Sequence, residues 1–210
     1  MINIARLYPD ELTLYGEIGN IKAITYALDK ENIKYKVINI DKEDKIEWNK
    51  YDLIYLGSGR ENNLKEIQKR LLPYKEELLD YIESKKILLV TGNAISIFSF
   101  LDLYEVKRYE ERIVSDVEAT SSLCKGKIKG FQNTEYLLEG SNHVIFNIEK
   151  GIGNNKTNLE GFAYKNFYAT TIIGPILARN DNLNNYFIKL LKNVDNHWII
   201  NIIYFSLNFY

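Results

Sequence analysis

A chain of 210 residues with 27 basic against 28 acidic side chains, a formal net charge of −1, has no excess charge with which to hold nucleic acid or an anionic membrane surface. A hydrophobic fraction of 46% suffices for a sizeable core in one α/β domain, and the single cysteine, Cys124, excludes an internal disulfide framework and any multi-cysteine metal site. Met1–Arg6 lacks the apolar region of a signal peptide, and no run of about 18 apolar residues occurs, so the expectation is a soluble cytoplasmic protein without a membrane-spanning helix.

In chain order, Ile2 to Tyr8 reads as a first strand that stops at the turn signal Tyr8-Pro9-Asp10. Tyr15-Gly-Glu-Ile-Gly-Asn20 reads as a glycine-punctuated loop with Asn20 as helix cap, and Ile21, Ile24 and Leu28 keep helical spacing to about Asn32. Tyr35 to Ile40 and Tyr51 to Leu56 are the second and third strands, the latter running into Gly57-Ser-Gly-Arg60. A charged amphipathic helix over 63–85 should break near Pro73. The four apolar residues Ile87 to Val90 then read as a strand buried on both faces. It turns sharply at Thr91-Gly92-Asn93 into a helix marked by Ile95, Phe98 and Leu101, a geometry that holds one side chain, here Thr91, exposed at the turn beside the N–H groups of the helix start.

This alternation implies a right-handed, mostly parallel sheet covered on both faces. From Arg112 onward, short strands (112–118, 127–132, 143–148, 162–170) suggest a mixed or antiparallel extension of the same sheet, and a last helix covers 183–193. One domain is expected over 1–194. The apolar stretch 195–210 would be an extension that either packs back on the body or meets another chain through 197–210.

Several segments share their order and spacing with one family. Leu7–Asn20, Tyr51–Arg60, Arg112-Ile-Val-Ser-Asp116, Gly130-Phe-Gln-Asn133, Gly151-Ile-Gly-Asn-Asn155, Glu160-Gly161 and Gly174-Pro-Ile-Leu-Ala-Arg-Asn180 together resemble the glutamine amidotransferase subunits of lipid II isoglutaminyl synthase, within the cobyric acid synthase-like class I amidotransferases. The resemblance implies a three-layer, flavodoxin-like domain. It also implies a glycine-rich oxyanion loop at Gly57, Ser58, Gly59 and Arg60, elbow contacts from Gly92 and Asn93, and a glutamine-contacting arginine at Arg112. Members hydrolyse glutamine with an elbow cysteine and a histidine just before a Gly-Pro pair, and pass ammonia to an ATP-dependent ligase. Here those two positions fall on Thr91 and Ile173.

A thiol works because its pKa, about 8.5, lies within reach of an imidazole base. A threonine hydroxyl is a far weaker acid, an internal threonine has no N-terminal amine to lean on, and isoleucine accepts no proton. Loss of such a pair costs on the order of a million-fold in turnover. Cys124 reads as an incidental thiol, and His143 and His197 as structural side chains. The histidines lack the spacing of a metal pair, and Gly57-Ser-Gly59 is neither a dinucleotide fingerprint nor a P-loop.

These residues lead to a catalytically degenerate amidotransferase-like protein, a binding, scaffold or regulatory subunit with neither metal nor cofactor. Its partner would be a Mur-ligase-like protein or a second copy of itself, its ligand glutamine or another small amino acid. Arg112 would either hold that ligand or make a surface ion pair. The alternative is an active amidotransferase with displaced groups, which requires a histidine or carboxylate, such as His143 or Glu160, against Thr91. Reuse of the fold for unrelated work stays open.

Overall fold

The parallel strands β1 (Ile2–Leu7), β2 (Tyr35–Ile40), β3 (Leu53–Leu56) and β4 (Ile87–Thr91) form because their β-branched and aliphatic runs can be buried on both faces. In the computed structural model, which describes residues 1–140 and 142–193, alternate residues of each inner strand point to opposite layers. Ile54, Leu56, Leu88 and Val90 meet α2 (Glu61–Leu71) and α3 (Lys75–Glu83). Leu53, Tyr55, Ile87 and Leu89 meet α1 (Ile18–Lys30) and a last helix, α5, over 181–193. The break expected near Pro73 is a turn of 3-10 helix, Leu72–Tyr74, with the proline in its first turn.

The six-stranded sheet has the order β2-β1-β3-β4-β10-β9. β10 (Phe167–Thr170) runs parallel to β4, and only β9 (Phe162–Tyr164), at the edge, is antiparallel. The mostly parallel sheet is thus observed, but the other late strands do not extend it. β5 (Val106–Ser121), β6 (Lys127–Leu138), β7 (Phe146–Lys150) and β8 (Leu159–Glu160) form a separate antiparallel sheet, ordered β6-β5-β7-β8. The expected strands at 112–118 and 127–132 are the distal half of this longer hairpin, whose register shifts where Tyr109–Arg112 oppose the single Glu135. A bulge of that size bends the pair and re-aims its side chains.

Two local expectations change. The segment after β4 is a 3-10 helix, Gly92–Leu101, because side chains draw its carbonyls away from an α-helical ladder. Gln68 Nε2 donates to the carbonyls of Ser96 and Ile97, Tyr104 to that of Ile95, and Ser96 and Ser99 to those three residues back. Asn20 is no cap but lies inside α1, fully buried, donating to Tyr55 (2.9 Å) and accepting from the Leu177 N–H (2.8 Å) at α4 (Ile176–Arg179). The stretch 195–210, with His197, lies outside the described residues.

Gly19 sets how closely α1 approaches the chain entering α4: a Cβ there would overlap Pro175 Cγ and stand 3.1 Å from its Cβ. Alanine is the better helix former by about 1 kcal/mol, but the proline ring cannot swing aside. Gly19→Ala therefore destabilises by about 1–2 kcal/mol, read as a lower urea midpoint. A raised midpoint would refute the close contact.

Candidate functional site

β4 keeps its alternation to its last residue. Thr91, extended (φ −122°, ψ 151°) and paired with Thr170, therefore faces the same layer as Leu89 and Tyr55. It is not exposed at the turn, as its place in the sequence suggested, but wholly buried. Its hydroxyl donates to Glu17 Oε2 and lies 2.9 Å from the Tyr55 phenol. Neither His143 nor Glu160 meets it: His143 is exposed and packs edge-on against Phe162, and Glu160 is bound elsewhere.

Glu17, which no motif singled out, is the centre of this cluster. It is 2% exposed. The Tyr55 hydroxyl lies 3.1 Å from its Oε2, and Gly174 donates its N–H to Oε1 at 3.3 Å. Burial pushes its pKa up to about 7, against the pull of the bonds from Thr91, Tyr55 and Gly174. The one legible hint was a carboxylate between Gly16 and Gly19, in a segment otherwise read as a loop. Gly57 must be glycine here, since a Cβ would meet the Tyr55 hydroxyl at 2.8 Å and Glu17 Cβ at 2.9 Å.

The sharp turn itself belongs to Gly92, the left-handed residue at φ +64°. A Cβ built on it would overlap Ser58 Oγ and stand 2.7 Å from Ile173 Cγ2. Gly92, Ser58 and Ile173 therefore do converge, and all three are buried. Ile173 is held by paired backbone bonds with Phe131 (2.8 and 3.1 Å). One donor of the glycine loop is already used: Asn93 Oδ1 accepts the Gly59 N–H (3.1 Å) while its Nδ2 donates to the Gly59 carbonyl (2.7 Å). Arg60 is exposed at the start of α2.

Arg112 sits in the β5 bulge and reaches back across the loop. Its guanidinium donates to Glu61 Oε1 (2.5 Å), Glu135 Oε1 (3.0 Å) and Asn133 Oδ1 (3.1 Å), so the ion-pair reading describes its state here. Cys124 is half-buried, and burial raises its pKa, opposite to what a reactive thiol needs. Among the described residues, no three histidine, cysteine or carboxylate side chains gather as a metal site, and no helix is long and apolar enough to cross a membrane.

The chain is 31% identical to the GatD subunit of a glutamine-hydrolysing lipid II isoglutaminyl synthase from Staphylococcus aureus, with 90% of this chain and 83% of that one covered. The chain belongs to the GatD-like glutamine amidotransferase family. The GatD subunit of Streptococcus pneumoniae is 26% identical, with 87% and 77% covered. Solved structures agree on the fold: PurLQS of Thermotoga maritima superposes with a TM-score of 0.63 at 13% identity (92% and 99% covered), and a glutamine amidotransferase from the same organism with 0.59 at 12% (95% and 86%). No family model matches the chain.

A second buried carboxylate, Glu160, is also raised to about 7 by burial, against bonds from Thr170 and from the Thr171 N–H and hydroxyl. Both folded-state values lie above the ordinary 4.5. The stabilisation from the neutral forms is thus complete below about pH 4.5 and is lost as pH rises through 7. Stability measured by denaturant should fall between pH 5 and 8, and Glu17→Gln should reduce that fall by about 2–3 kcal/mol. An unchanged pH slope in the variant would contradict the assignment.

Proposed function

We propose that this GatD-like chain is catalytically degenerate and acts as a non-hydrolysing binding, scaffold or regulatory subunit beside a Mur-ligase-like partner, in the cytoplasmic amidation of a cell-wall precursor. The observation that carries this reading is the pairing at the elbow. The residue at the left-handed turn is Gly92, which has no side chain, and what faces it from the Gly-Pro segment is the hydrocarbon of Ile173. We accordingly assign the nucleophile's position to Gly92 rather than to Thr91, one residue earlier. With neither attacking atom nor proton acceptor, oxyanion donors have no tetrahedral intermediate to stabilise. The names of the relatives, each a subunit of a synthase, support a protein partner.

The internal pairing of Arg112 and of the Gly59 amide argues that this pocket holds no glutamine in the free subunit. A second reading has one observation in its favour: a carboxyl raised to about 7, in the range of a general base, does touch the Thr91 hydroxyl. It is outweighed by burial, since Thr91, Glu17 and Tyr55 are at most 2% exposed.

Incubating the purified chain with L-glutamine should release no ammonia above a heat-denatured control, and titration calorimetry should show no saturable binding. Turnover that Thr91→Val or Glu17→Gln abolishes would establish the second reading instead.

A further inference from the structure

We infer that the Ser58 side chain, together with Ile173, occupies the volume that a side chain at position 92 would need, so that these two residues decide whether this elbow can carry a side chain. The inference deepens the degenerate-site reading and rests on it only for its functional meaning; its geometry stands alone. A Cβ on Gly92 would overlap Ser58 Oγ, lie 3.2 Å from Ser58 Cβ and crowd Ile173 Cγ2 at 2.7 Å. Ser58 is 0% exposed, and its hydroxyl has no hydrogen-bond partner among the described residues. A buried hydroxyl left unpaired is destabilising, so hydrogen bonding does not account for serine here, whereas filling space beside a bare glycine does.

Nor can the loop retreat. Leu14 N–H holds the Ser58 carbonyl at 3.1 Å, Asn93 clamps both backbone groups of Gly59, and a Cβ on Gly59 would meet Leu12 and the Glu11 carbonyl. The neighbouring Gly57 is confined by Glu17 and Tyr55. The Ser58 hydroxyl as placed and any residue larger than glycine at 92 thus compete for one space. A cysteine at 92 could not take up an attacking position unless the Ser58 hydroxyl turns aside and Ile173 gives way.

A double-mutant cycle tests this, with Gly92→Cys made in the natural chain and in Ser58→Gly. Gly92→Cys alone should lower the thermal midpoint by about 5 °C or more, from overpacking added to left-handed strain. In the Ser58→Gly background the loss should shrink, leaving the left-handed strain and the contact with Ile173 Cγ2. Should Gly92→Cys not fold, Gly92→Ala, which adds only the Cβ, gives the same comparison. Equal losses in both backgrounds would overturn the inference and leave the degenerate reading untouched. Ammonia release by the natural chain would end that reading while the steric coupling stood.

Discussion

A carboxyl group taken out of water is the constraint on which this molecule's upper end depends. Glu17 precedes α1, yet it bonds to the tip of β4 through Thr91, contacts β3 through Tyr55, and holds the Gly174 N–H of the segment that bears Ile173. Asn20 carries the same set of contacts from Tyr55 to the N–H of Leu177. Four pieces of chain far apart in sequence thus meet around one acid. Burial of such a group is tolerated only when its oxygens are bonded, so the geometry between the elbow and Ile173 is fixed by what Glu17 requires.

A comparable arrangement joins the two sheets. Glu160 accepts from Thr170 and Thr171 at the end of β10, and Gln132 of β6 donates to Thr171 and to the Ile152 carbonyl while accepting the Ile152 N–H. Gly130 lies against Ile172, where a Cβ would not fit. The hairpin is therefore packed directly on the strand that leads to Ile173. On the solvent side, Arg112 links the β5 bulge to α2, but partly exposed ion pairs of this kind contribute little to stability. The buried contacts hold the hairpin, and the bulge determines where its charges point.

The layers were readable because they rest on periodicity. Ile87 to Val90, the helical spacing of Ile21, Ile24 and Leu28, and the proline break at 73 each state a local preference that burial reinforces. The second sheet was not readable, since short alternating stretches do not say which sheet they join, and β10 looks like its antiparallel neighbours while pairing in parallel with β4. At the site, the turn was legible and its register was not. Strand alternation carries Thr91 into the Tyr55 layer, and only the backbone angle of Gly92 identifies the residue that leaves the sheet. Glu17 stayed hidden because a lone acid between glycines reads as solvated loop until its partners, 38 and 74 residues away, are known.

The shared space between positions 58 and 92 bears on how this turn could be altered. A side chain placed on Gly92 alone would meet the Ser58 hydroxyl and Ile173, while trimming Ser58 alone would open an unfilled gap. Each change made singly therefore lowers stability, and the three positions can only be repacked as a set.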